Sequence, residues 1–553
     1  MRRALVLALA LSACSQDPRL GEITPPVPPS WPIGDAYLRQ SEAELPAITY
    51  AQVFRDQRLQ RLIEQGIANN RDLRIAVANI EQARALYRVQ RADRFPQVDV
   101  NARYQRAQGV AGGFTGNNAA AGGGTTGTGG TGTGTGGTGN GGTGNGGTGN
   151  GGTGDGGTGN GGTGTGGTGT ASRGGRGTDF FQVQLGATQF EIDLFGRVAS
   201  LTRAAQQRFF AQEAAARSVR LILIGDIAEA WLTYAADRSL LRVAEETVRL
   251  SEASVRLTRA RLEGGIAPRS DLTQAQQILA TAQLSLADQR ALVAQDANAL
   301  QLLVGGPVDP ALLPEEIAEA AQTFAALPAG LDSRILLRRP DVVQAEYELR
   351  ASNADIGAAR AALFPRLTLT GVLGFASNAL SGLFSGDNFT YSLSPQATYS
   401  IFQGGAARAN VRLTEAQRQA ALAQYERAIQ VAFREVSDAL ARQGTIGEQL
   451  RATQALVNAT NETLRLNDAR YRGGIDTFLT LLDAQRSQLT AQQTFVQTQL
   501  LAGRNRVALY RSLGGDATVQ TTEDGPAPVT RSGAPRPEEP LPALPPVPER
   551  PRR

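Results

Sequence analysis

The chain has 553 residues and a net charge of +4, set by 55 Arg against 51 acidic residues; Lys and His are absent, and there is one Cys and one Met. So small a basic excess gives no argument for nucleic acid as a partner. Without His the commonest general base and metal ligand is missing. A lone Cys makes neither an internal disulfide nor a thiolate metal cluster, so no cofactor or metal is expected and any catalysis would rest on carboxylates.

The N-terminus reads MRRALVLALALSACSQD. Arg2 and Arg3 form a positive flank, and Ala4–Leu11 is an apolar run too short to span a bilayer as a permanent helix. Leu11-Ser12-Ala13-Cys14 resembles a bacterial lipobox, which makes 1–13 a lipoprotein signal peptide and Cys14 the acylated first residue of the mature chain. The alternative is an ordinary secretory cleavage site with an incidental Cys. Acyl chains anchor through about 0.8 kcal/mol per buried methylene. Ser15 follows, where Asp would resemble an inner-membrane retention signal, and this favours the outer membrane. Residues 14–52 read as lipid anchor and extended segment, Pro-rich over 18–32.

Helical sequence from about 53 stops at Phe95-Pro96, since Pro disfavours helix in the residue before it. An alternating run follows, with Val98, Val100, Ala102 and Tyr104 on one face. Residues 109–178 are a Gly/Thr tract that builds no core. A second alternating run places Phe181, Val183, Leu185 and Ala187 together. From Val198 to Glu263 there is no Pro and one Gly, Gly225, so a single helix of about 100 Å is expected. Ile227, Tyr234, Leu241, Val248, Val255 and Leu262 recur every seven residues, the coiled-coil period. Val243, Leu250 and Leu257 form a second series about 200° round the helix, so a neighbour is expected on each flank. Gly264-Gly265 then turns the chain into a returning helix over 270–303, with Ser270 as its expected N-cap.

The same order recurs. Gly264-Gly265 matches Gly473-Gly474, and ALQLLVGG from 299 matches ALYRSLGG from 508, each displaced by 209 residues. RFPQVDV from 94 matches LFPRLTL from 363 with a displacement of 269; the extra 60 residues lie where the Gly/Thr tract sits. The chain therefore reads as a first copy, 53–306, with 109–178 inserted in its loop; a connector, 307–340; a second copy, 341–515; and a disordered Pro-rich tail, 516–553. In the second copy, strand faces fall at Leu367, Leu369, Leu373, Phe375 and at Tyr391, Leu393, Ala397, Tyr399. The returning helix is expected over 476–512, N-capped by Asp476.

Four strands, apolar on one side and polar on the other, suit a transmembrane barrel or two solvent-exposed hairpins. In lipid, four strands leave open edges whose unpaired backbone groups cost several kcal/mol each, so the barrel would have to be shared among subunits. Two chains give eight strands and a filled lumen, three give twelve and room for a channel.

With its duplicated Phe-Pro strand entry, doubled Gly-Gly tips, the run YRGGIDTFLTLLDAQ and the closing ALYRSLGG, the chain resembles the TolC-like outer-membrane factors, in particular the lipid-anchored branch that serves multidrug efflux pumps. The resemblance covers roughly 30–515 without the insertion. It implies a mixed α and β membrane protein: a homotrimer with a shared 12-stranded β-barrel in outer-membrane lipid and a long antiparallel α-helical coiled-coil barrel. It further implies a periplasmic adaptor and an inner-membrane RND-type pump as partners, and a passive conduit for drugs or other small molecules. By motif match, Leu479 falls at an apolar periplasmic constriction and Asp483 at an acidic ring, while Gly264, Gly265, Gly473, Gly474 and Asp476 form the hairpin tips that meet the adaptor. Asp476 stands where some relatives carry an Arg-mediated latch, so an identical latch is not expected. Secretion of proteins or signalling molecules, and a surface structural or adhesive lipoprotein built on the Gly/Thr tract, are the competing readings.

Overall fold

The computed structural model describes residues 49–107, 178–325 and 333–528, together with Gln16, Pro18, Val27, Pro28, Trp31 and Pro32. Residues 1–13, Cys14, the Gly/Thr insertion to residue 177 and the tail beyond 528 lie outside the described residues. The chain forms a helical unit and a smaller strand unit of Val98–Gly186 and Gly371–Ser392.

In the helical unit, α1 (Tyr50–Val53), α2 (Gln57–Asn69) and α3 (Arg71–Ala92) lead to the first Phe-Pro boundary. Asp56 caps α2 by accepting the Arg58 N–H at 2.8 Å. Asn70 caps α3 through the Leu73 N–H at 3.0 Å, and its amide donates to the Leu303 carbonyl at 2.8 Å. Helix α4 (Arg197–Glu263) returns as α5 (Arg269–Val304). The connector forms α6 (Ile317–Gln322), and α7 (Pro340–Ala361) opens the second copy with Pro in its first turn, where the missing N–H is no loss. Helix α8 (Ala406–Arg472) returns as α9 (Phe478–Ser512). Helices α4 and α8 each have 67 residues, so the repeat holds in three dimensions to the length of its longest element.

Of the two apolar series on α4, Ile227, Leu241 and Val255 are buried within the chain, whereas Leu250 on the second flank is 40% exposed. The first seam is the more deeply buried; on the second, Val243 and Leu257 are half-buried and only Leu250 is exposed. Gly225 is explained by close approach. A Cβ there would stand 2.3 Å from Arg511 Cδ, and Arg511 crosses to pair with Asp226 at 2.9 Å. Gly costs roughly 1 kcal/mol inside a helix relative to Ala, and here it makes room for the Arg511 side chain.

The core sits where the ends of both copies meet the connector. Phe54 packs edge-on to Phe324 and Tyr510, each 5.1 Å between centroids, above fully buried Trp231. Arg339, almost completely buried, donates to Asp341, Glu435 and the Ser512 carbonyl, tying the start of α7 to α8 and to the end of α9. The Pro-rich segment after Cys14 touches this body at several described points, among them Val27, which packs on the core. Asn353 donates to the Pro18 carbonyl at 2.8 Å, Ser333 donates to the Pro28 carbonyl at 2.7 Å, and the Trp31 ring stacks on Phe433 at 5.1 Å.

The tail expectation is corrected in part: residues 516–528 are ordered. A 3-10 turn, Gly515–Ala517, precedes a hairpin of β5 (Val519–Thr522) and β6 (Gly525–Pro528). Val519 is buried with Phe210 and Tyr347, and the Tyr347 hydroxyl donates to the Thr522 carbonyl while accepting its N–H, both at 3.0 Å. Strands of four residues are too short to announce themselves by alternation; side chains from two distant helices hold them.

The four long strands, β1 (Val98–Ala107), β2 (Thr178–Glu191), β3 (Arg366–Ser377) and β4 (Phe389–Thr398), form one sheet in the order β1-β2-β3-β4. The β2–β3 pairing joins the copies and leaves β1 and β4 as open edges. Gln189, near the end of β2, is the only described non-glycine with positive φ, 56°, and its backbone N–H donates to the Thr370 hydroxyl at 3.2 Å.

Candidate functional site: the paired hairpin tips

The two tips are built alike. Gly264 and Gly473 keep helical φ of −75° and −74°, while Gly265 and Gly474 take φ of 72° and 74°, the left-handed region that a side chain disfavours. Ile266 N–H then donates to the Arg261 carbonyl and Gly265 N–H to the Leu262 carbonyl; Ile475 and Gly474 repeat this at Arg470 and Tyr471, all at 2.9–3.0 Å. This pairing satisfies the last helix carbonyls. Each pair is followed by an outward Ile, Ile266 at 69% and Ile475 at 70% exposure, a doubled feature that the sequence comparison passed over.

Both expected N-caps are displaced. The cap position of α5 is Pro268, with exposed Ser270 already in the first turn. The cap of α9 is Thr477, whose hydroxyl accepts the Thr480 N–H at 3.4 Å. Asp476 is instead bound by Arg470 of its own tip, and this carboxylate holds the guanidinium above its ordinary range.

Below the second turn, Phe478, Leu481 and Leu482 are buried; Phe478 and Leu481 pack with Tyr471, Val255 and Ala275. This fixes the rotation of α9. Leu479, 63% exposed, and exposed Asp483 stand one helical turn apart on the face turned away from that cluster. Asp483 makes no ion pair among the described residues. At the corresponding places in the first tip, Ser270 is exposed and Gln274 half-buried, so the chemistry of the two tips differs although their backbones match.

Arg261 is the residue that sequence reasoning missed. It occupies the place in the first tip that Arg470 holds in the second (209 residues apart), but the counterpart of Asp476 is Ala267. Lacking a counterpart of Asp476, Arg261 reaches across to the second tip. Its Nη1 donates to the Tyr471 carbonyl at 2.7 Å, and its guanidinium lies 4.6 Å from the ring centroid. Arg261 Nε and the Tyr471 hydroxyl are buried without hydrogen-bond partners among the described residues. The missing signal was available in the repeat: a duplicated Arg whose partner Asp occurs in one copy only.

A duplicated strand pair and helical hairpin, four strands in an open-edged sheet and unequal tips define a subunit of a channel that several chains must complete. The sequence model of the outer membrane efflux protein family matches residues 62–131, 154–306 and 331–515, and the chain belongs to that family. It is 37% identical over 519 residues to the probable efflux pump outer membrane protein TtgC of Pseudomonas putida, covering 93% of this chain and 95% of that one. It is 36% identical over 512 residues to outer membrane protein OprJ of Pseudomonas aeruginosa, at 93% and 95% coverage. Among solved structures it resembles CusC, with 30% identity, TM-score 0.71 and coverage of 91% and 100%. It also resembles the open state of the MtrE outer membrane channel of Neisseria gonorrhoeae, with 28% identity, TM-score 0.72 and coverage of 91% and 99%.

Proposed function

We infer that the second tip is the periplasmic gate of a trimeric outer-membrane efflux channel, with Leu479 as its apolar constriction and Asp483 as its acidic ring. The chain is the outer-membrane component of an efflux assembly. Three copies supply twelve strands to one barrel and line one helical tunnel, and a periplasmic adaptor and inner-membrane pump feed it. The cargo is drugs or other small molecules, the pump supplies the energy, and the channel itself makes and breaks no bonds. Cys14 carries the acyl anchor, and the tips from Gly264 to Gly265 and from Gly473 to Asp476 face the adaptor.

The observation that carries the gate assignment is the rotation of α9. Buried Phe478, Leu481 and Leu482 leave an apolar side chain and a carboxylate together on an open face, where the first tip has only Ser270 and Gln274. Three Leu converging on an axis oppose wetting, and three carboxylates favour cations. The Arg261–Tyr471 contact supports a closed state held near balance. A charge-assisted hydrogen bond is worth about 1.5–3 kcal/mol and an exposed cation–π contact about 0.5–1 kcal/mol. The two orphaned polar atoms cost about 1–3 kcal/mol each, together as much as that gain.

The test is conductance of the purified protein in planar bilayers beside antibiotic susceptibility of a deletion strain complemented with wild type, Leu479→Ala or Asp483→Ala. Leu479→Ala should raise conductance and Asp483→Ala should weaken cation preference. Wild-type conductance and selectivity in both variants would remove the gate from these residues.

A further inference from the structure

The connection between β3 and β4 is not an open loop. It folds into two 3-10 turns, Leu380–Gly382 and Gly386–Asn388. Asn388 Nδ2 donates to the Gly382 carbonyl at 2.7 Å and to Ser385 Oγ at 2.9 Å, while the Ser385 hydroxyl donates to the same carbonyl at 2.9 Å. Leu383 is turned inward, 4% exposed, and its neighbour Phe384 is turned outward, 70% exposed. The loop thus holds an aromatic ring in the open on a rigid frame.

That ring continues the sheet's apolar face. Phe384 packs edge-on to Phe375 at 5.5 Å, Phe375 packs on Phe389 at 5.6 Å, and Phe389 leads to Tyr391 two residues on at 6.4 Å. Phe375 and Tyr391 are on the apolar strand faces, and exposed Phe384, Phe389 and Tyr391 gather around half-buried Phe375 at the end of the hairpin away from its entry and exit. Strand β3 has 12 residues. At about 3.3 Å per residue and a barrel tilt near 45°, it climbs roughly 28 Å, close to the height of about 25 Å of the apolar band of an outer-membrane barrel. The cluster therefore falls at the outer edge of the hydrocarbon, where aromatic rings concentrate.

We propose that the β3–β4 loop is a membrane-interface wedge, with the Phe384 ring seated at the acyl–headgroup boundary of the outer leaflet rather than in water above it. The partner is lipid, and the rigid turns set the depth of the ring. The proposal rests on the barrel reading but is separate from the gate, which it leaves unchanged.

Fluorescence quenching of Phe384→Trp in vesicles tests it, using full-length protein reconstituted with phosphatidylcholine brominated near the carbonyl end, and iodide as the aqueous quencher. The two native tryptophans, Trp31 at 9% and Trp231 at 0% exposure, give a background shielded from both quenchers. Emission from the introduced Trp should fall severalfold with the brominated lipid and barely respond to iodide. Phe389→Trp should behave likewise, and Asp387→Trp, exposed on the same loop, should be the iodide-sensitive control. Quenching of Phe384→Trp by iodide alone would make the loop a solvent-borne surface loop. Insensitivity to both quenchers would place the ring in a protein contact between protomers. Either result overturns the wedge, whereas failure of the barrel reading would leave Phe389→Trp insensitive to the brominated lipid as well.

Discussion

Arg261 and Tyr471 join the two hairpin tips: the guanidinium lies 4.6 Å from the ring centroid and donates to the carbonyl of the same tyrosine at 2.7 Å. That carbonyl also receives Gly474 N–H, so one side chain of the first copy completes the helix end of the second. Arg261→Ala should therefore loosen the second tip without unfolding either hairpin. Each loss of about 1 kcal/mol from the link changes an open–closed ratio roughly fivefold, readable as a higher open probability in bilayer recordings. Ala267→Asp gives a sharper test, since it recreates around Arg261 the carboxylate that holds Arg470. It should open the channel comparably while keeping every native side chain of the second tip. Unchanged gating in both variants would separate the link from the gate.

Stability should decline as pH rises from about 4 to 7. Asp296, on α5, lies beside Asp237 of α4, and burial together with that neighbour pushes its carboxyl from 3.8 up to about 7. Arg504 opposes the shift without cancelling it. With its affinity for protons raised on folding, the native state holds a proton across that window which the unfolded chain has released, so stability is greatest below it and falls through it. Asp296→Asn should flatten this dependence and raise the midpoint of thermal unfolding at pH 8 relative to wild type, measured by scanning calorimetry in detergent.

Ending the chain after residue 515 should destabilise it more than ending it after 528. The shorter form exposes the Phe210 and Tyr347 surfaces that Val519 covers. Val519→Ala alone should cost about 2 kcal/mol and lower the unfolding midpoint by a few degrees.

Cys14→Ser should abolish incorporation of labelled palmitate, as the chain has no other Cys. Trp31→Ala should leave labelling intact but expose the N-terminal segment to protease. Losing a Trp stacked on Phe433 costs about 3–5 kcal/mol, enough to release the segment from the helical body.

Periodicity and punctuation made much of the fold legible. Two helices of 67 residues, the Phe-Pro strand entries and the Gly-Gly turns follow from backbone rules acting within a few residues. Leu479 and Asp483 were readable as a pair because a helix places i and i+4 on one face. What escaped were Arg261, the 516–528 hairpin, the caps at Pro268 and Thr477, and the ring of Phe384. Each depends on a partner far away in sequence or on the exact turn the backbone takes at a helix start.

By itself the sequence determined the elements, their duplication and, once the strands enter lipid, the need for further subunits, because period, Gly and Pro act locally and four strands cannot close a sheet. Only the tertiary structure decided how the equal copies become unequal. An Arg without its local Asp turns to the nearest carbonyl, and that carbonyl comes within 2.7 Å only when both hairpins are packed side by side.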